Sequence, residues 1–138
     1  MIINGENLIL GRLATKVAKK ALLGDKIDIV NAEKIVIVGR KEVIFKNYKQ
    51  KFDRKTPVKG PFIPRTPDRF VKRVIRNMLP YKKYRGDKAL RSIMCYIGVP
   101  DNFKNQQMET FNDVNVLNTN NINYLTIKDL CKLMGKHA

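Results

Sequence analysis

Histidine is all but missing from this chain. One occurs among 138 residues, His137, next to the C-terminus, where it reads as exposed. Relays of nucleophile, histidine and carboxylate need a histidine held in a cleft, so that class of catalysis is disfavoured. Cysteine is nearly as scarce: Cys95 and Cys131 are the only two, and no Cys-x-x-Cys pair exists. That argues against structural zinc. Both cysteines sit among apolar residues and read as small core side chains of a reduced, cytoplasmic protein. No apolar run approaches a membrane span, and Met1-Ile2-Ile3 leads into an Asn4-Gly5 turn rather than a signal peptide.

Acids are the other shortage. The chain has 12 Asp+Glu against 28 Lys+Arg, a formal net charge of +16. The excess is local: residues 40–91 hold 18 basic and 4 acidic residues, and the remainder holds 10 and 8. A chain near neutral elsewhere and strongly basic in one span has a directed field, and nucleic acid is the leading partner. An anionic membrane is disfavoured, because Pro and Gly interrupt the basic run. Hydrophobic residues make up 43%, enough for one folded domain with a real core.

The centre of the basic span reads as an amphipathic helix. Thr66 stands at the N-cap, Pro67 at the first helical position, and Asp68 complements the positive helix end. Phe70, Val71, Val74, Ile75 and Met78 recur at helical spacing on one face; Arg69, Lys72, Arg73 and Arg76 do so on the other. Leu79-Pro80 stops the element. A charged helix face is usually just solvated, with acids and bases mixed. This face has no acid among its four cations, which favours an anion-binding role.

The rest of the chain reads in order as follows. Residues 1–4 form a strand, and 8–24 a helix with the stripe Leu13, Ala14, Val17, Ala18, Ala21 and Leu22, ended by Gly24. Ile27, Ile29 and Val30 mark a second strand and residues 35–38 a third. Strand, helix and strand make a βαβ unit with a parallel sheet, so the fold class is α/β. Gly39-Arg40-Lys41 then forms a strand-to-helix turn of the kind that binds phosphate, though neither nucleotide-loop fingerprint is present. Residues 41–50 are helical. Residues 51–65, with Pro57, Pro61 and Pro64, take an extended path, mobile in the free protein and ordered on RNA, with Phe62 as an apolar anchor. Residues 81–86 form a basic loop with two tyrosines, and Asp87 caps a helix carrying Ala89, Leu90 and Ile93. Residues 93–99 give a last core strand stopped by Pro100. Residues 101–123 are a polar surface connector. Thr126-Ile127-Lys128-Asp129 is a capping box ahead of Leu130, Leu133 and Met134, and Gly135 ends that helix. Glu6, Asp25, Asp28 and Glu33 lie near strand ends and read as turn-formers and caps rather than metal ligands.

Several short motifs occur in a fixed order: Leu10-Gly11-Arg12-Leu13-Ala14-Thr15, Val30-Asn31-Ala32-Glu33-Lys34, Gly60-Pro61-Phe62, Arg65-Thr66-Pro67-Asp68-Arg69, Met78-Leu79-Pro80, Arg85-Gly86 and Tyr96-Ile97-Gly98-Val99-Pro100. Over residues 1–100 the chain resembles the ribosomal large-subunit protein L-thirteen family in its archaeal/eukaryotic form. Asn77 departs from it, where the family has Gly. The resemblance implies a three-layer α/β/α fold with a four-stranded, mainly parallel sheet, plus a basic extended segment and a C-terminal tail. One domain is expected over 1–138, with its core in about 1–100 and a connector and helix in 101–138.

The resemblance also implies binding to large-subunit ribosomal RNA beside neighbouring ribosomal proteins, and a role in subunit assembly. Catalysis, cofactor, metal, small-molecule substrate, membrane and homo-oligomer are not expected. The candidate RNA-binding residues are Arg12, Arg40, Lys41, Arg54, Lys55, Lys59, Arg65, Arg69, Lys72, Arg73, Arg76, Lys82, Lys83, Arg85, Lys88 and Arg91. The rival readings are an RNA-acting enzyme on a Rossmann-like core, which would need a ligand loop or carboxylate cluster, and a free regulatory nucleic-acid-binding protein.

Overall fold

The structure is a computed structural model and describes residues 1–135; His137 lies outside the described residues. The chain opens with strand β1 (Ile2–Asn4) and helix α1 (Leu10–Leu22), followed by strand β2 (Ile27–Val30). β1 and β2 pair in parallel with Ile3 opposite Ile29, so the expected βαβ unit is present. The periodic stripe explains α1: Leu13, Ala14, Val17, Ala18 and Ala21 are all buried. Gly24 ends the turn in the left-handed region at φ 108°, where a side chain would be strained.

Strand β3 (Val36–Val38) does not join that sheet, which is the main departure from expectation. After it come helix α2 (Lys41–Asp53), helix α3 (Pro67–Asn77), helix α4 (Tyr84–Arg91) and strand β4 (Ile93–Cys95). The chain ends in strand β5 (Tyr124–Thr126) and helix α5 (Ile127–Leu133). β4 pairs in parallel with β2 on the side away from β1, giving a three-stranded sheet in the order β1-β2-β4. β3 pairs antiparallel with β5, Ile37 opposite Leu125. The described residues therefore form a three-stranded parallel sheet and a separate antiparallel pair, not one sheet of four strands. The physical reason is the connection: only residues 31–35, with the 3-10 turn Ala32–Lys34 at their centre, separate β2 from β3. A crossover to a parallel neighbour needs a dozen or more.

Several boundaries also differ. α2 runs to Asp53 because no proline interrupts it before Pro57. α4 begins at Tyr84, so Asp87 is inside its first turns and pairs with Arg91 at 2.9 Å instead of capping. β4 is only three residues long. Val74 is half-buried, while Met78 and Leu133 are 43% and 53% exposed, outside the core that their spacing predicts for them. Cys131 is buried as expected and Cys95 is half-buried.

The polar connector does more than cross the surface. Glu109 bridges the open edge of β1, donating its N–H to the Ile2 carbonyl (2.8 Å) and accepting from Asn4 N–H (3.0 Å). Val114 and Val116, each 1% exposed, join the core, and the Lys16 ammonium pairs with Asp113. Thr126 ends β5 and at once caps α5, its Oγ1 accepting from Asp129 N–H at 3.2 Å.

One close approach explains the Arg85-Gly86 motif. Gly86 in the first turns of α4 is buried against the loop after α3, and a Cβ there would overlap the Pro80 carbonyl. The obstacle is backbone, so it cannot rotate away. Gly86→Ala is expected to cost about 1–3 kcal/mol. In urea unfolding its midpoint should fall with the slope unchanged; a midpoint equal to that of the unsubstituted chain would show that the loop yields freely.

Candidate nucleic-acid interface

α3 is held so that its two faces do different work. Thr66 is the N-cap residue and Pro67 the first helical one, but the Thr66 hydroxyl makes no capping bond. It is buried without a partner among the described residues. The helix is fixed instead by packing: Phe70, Val71 and Ile75 are buried, and the helix contacts α1, α5, β4 and the turn after β2. Tyr48 of α2 covers Phe70 with ring centroids 5.3 Å apart.

The opposite face is a basic depression. Arg69, Lys72, Arg73 and Arg76 line it together, in a volume of about 360 Å³ closed by Phe62, Pro64 and Leu90. Three of the four cations are positioned by something other than an acid. The Arg73 guanidinium donates to the Phe62 carbonyl. Lys72 Nζ lies 3.6 Å from Met94 Sδ. Arg76 stacks on the Tyr81 ring at 5.1 Å, with its Nε buried. Arg69 is exposed. Among the described residues none of the four belongs to an ion pair. Four cations gathered round one depression repel one another and are relieved by a polyanion, which phosphate groups supply.

The other candidate residues occupy separate places. Arg65 and Lys55 both stack on Phe52 at the end of α2, at 4.2 and 4.4 Å. Lys59 sits in a small turn closed by mutual backbone bonds between Thr56 and Gly60, at 3.0 and 3.2 Å. Arg85 and Lys88 line a second groove with Tyr84 and the end of α1, about 330 Å³ in volume. Lys82 and Lys83 are exposed between α3 and α4. Arg12 and the pair Arg40 and Lys41 are exposed at the starts of α1 and α2, outside the α3 depression. The Gly39 N–H already serves the Asn123 carbonyl (2.9 Å), which removes it from any phosphate turn. Arg91 is tied to Asp87 and is the one candidate cation with an acid partner among the described residues.

Lys46 and Lys49, outside the expected set, share a shallow groove with Arg54 and Asp53 along α2. Their spacing of three to five residues carries the signal, but a helix ended at residue 50 leaves Arg54 off that face.

Two of the carboxylates near strand ends are engaged within the fold. Glu6 pairs with Lys34 at 3.1 Å, and Glu33 accepts from Gly98 N–H at 3.0 Å. Among the described residues no cluster of three His, Cys, Asp or Glu is placed to hold a metal. Burial pushes the Cys95 thiol up to about 12, with Lys72 pulling weakly the other way. It is therefore a thiol and not a thiolate nucleophile at neutral pH. No described helix is long and apolar enough to cross a membrane.

Comparison with known proteins agrees with the motif order. The family model described as "Ribosomal protein L13" matches residues 1–102. A protein of Methanococcus maripaludis named "Large ribosomal subunit protein uL13" is 44% identical over 140 residues, covering 98% of this chain and 97% of its own. Proteins of the same name from Methanosarcina barkeri and Archaeoglobus fulgidus are 41% and 39% identical over 97% of this chain, and 96% and 86% of their own lengths. With the motifs, the α3 depression and a match over most of its length all in agreement, the chain belongs to the ribosomal protein L13 family.

Proposed function

We propose that this chain is a structural constituent of the large subunit of the cytoplasmic ribosome, not an enzyme. It binds large-subunit ribosomal RNA through the α3 depression and the basic residues beside it, contacts neighbouring ribosomal proteins and supports subunit assembly. The observation that carries the reading is the set Arg69, Lys72, Arg73 and Arg76 around one depression with no acid partner among the described residues. The names of its relatives support it, since each is a large ribosomal subunit protein. The same reading extends to the family's three-layer stacking, supported by helices that pack both on the sheet and on each other. It also extends to the extended segment after α2, where the exposed cations Arg54, Lys55 and Lys59 are neutralised and ordered when phosphates arrive, while Phe62 further along is already held by Arg73.

The test is sedimentation. A tagged copy expressed in cells should run with large subunits on a sucrose gradient and remain there in moderate salt. A chain found wholly at the top of the gradient would leave a free nucleic-acid-binding factor as the better reading.

A further inference from the structure

Phe62 is built into the basic depression in a way that phosphate binding alone does not require. It is 65% exposed, whereas Phe70, a few residues away, is 3% exposed. Burying an aromatic ring is strongly favourable, so a ring left in water and yet fixed in place points to a partner surface. Two contacts fix it. Its carbonyl is held by Arg73. Its ring lies over Gly60, where a Cβ would sit 3.1 Å from Cδ2 and 3.2 Å from Cε2. Phe62 forms no ring pair with another aromatic among the described residues. It lines the same depression as the four cations.

We propose that this depression takes an unpaired nucleotide of the RNA, its base stacked on Phe62 and its flanking phosphates on the α3 cations. The proposal rests on the reading of α3 as an RNA-binding face and names what that face recognises. A paired helix offers phosphates and no free base face; a bulged or looped nucleotide offers both. Every base has a π-face, so stacking tolerates any sequence, and Arg and Lys beside the ring supply the charge. The ring's fixed position means little ordering is needed when the base arrives.

The chain contains no tryptophan, so Phe62→Trp introduces a single tryptophan at the site, which can be excited selectively beyond the absorption of the tyrosines. Its emission should be quenched by purified large-subunit ribosomal RNA and left unchanged by a fully paired RNA duplex. Phe62→Ala should weaken binding to the ribosomal RNA by roughly 5- to 100-fold, the range of one base stack. Its salt dependence should not change, because no phosphate contact is lost. Phe62→Trp should restore affinity and Phe62→Leu should not. Unaltered affinity of Phe62→Ala, full rescue by Leu, or steady emission from the bound Trp variant would each overturn the proposal. The RNA-binding reading fails differently: a salt slope unchanged after replacing the four α3 cations removes it, and this proposal with it. Because the ring is mostly exposed, all three variants should melt with the unsubstituted chain.

Discussion

Ile75→Asp is expected to unfold the protein. Ile75 is fully buried on α3, in the cluster that joins that helix to the rest of the core. An aspartate there loses the apolar contacts and brings an unpaired carboxylate into surroundings without water. The combined cost is more than about 4 kcal/mol, against a total stability of roughly 5–15 kcal/mol for a domain. Circular dichroism should show no cooperative melt at 25 °C and above. Ile75→Val, which removes one methylene, should cost only about 1 kcal/mol. The sequence pattern makes Val74 an equal choice, but Val74 is half-buried, and its Asp variant should be clearly milder. Equal melting temperatures for the chains with Ile75 and Asp at this position would mean that α3 is rotated from the orientation described.

Replacing Arg69, Lys72, Arg73 and Arg76 together with Ala should leave a folded protein that has lost most of its affinity for ribosomal RNA. Each phosphate contact releases counterions and contributes close to one unit to the slope of log affinity against log salt. Removing four contacts should therefore flatten the slope by up to roughly three to four units. At low salt the loss should be largest, because displaced counterions matter most there. Titrations of the variant over a range of potassium chloride concentrations give the slope directly. A folded variant whose slope matches that of the unsubstituted chain would show a face that is only solvated. Arg73 is the one of the four with a second role, since it also holds the Phe62 carbonyl.

α3 is legible in the sequence because all its determinants lie within about fifteen consecutive residues: a proline-marked start, a 3.6-residue period and Leu79-Pro80. α1 and the parallel β1–β2 pair are legible for the same reason, as local periodicity joined by a helix of crossover length. The pairing of β3 with β5 is not, because it joins segments far apart in sequence and nothing in a three-residue apolar run names its partner. Val114 and Val116 are hidden by the asparagines around them; single buried valines in a polar stretch give no period to detect. At the candidate site, the four cations are legible from spacing. What closes the depression is not: Leu90 comes from α4 and Pro64 from the extended segment, and only the packed chain brings them to α3.

The β3–β5 pairing joins segments far apart in the chain, so forming it closes a long loop. β1, α1 and β2 follow one another directly and pair across a single helix, so that unit closes a short loop. β3 comes next in the chain, yet its antiparallel partner lies beyond α4 and β4. Until that partner docks, Val36–Val38 presents a strand edge that β5 has not yet covered. Docking of Tyr124–Thr126, with Thr126 capping α5, covers that edge, so a chain cut before Tyr124 would leave it open to strands of other molecules.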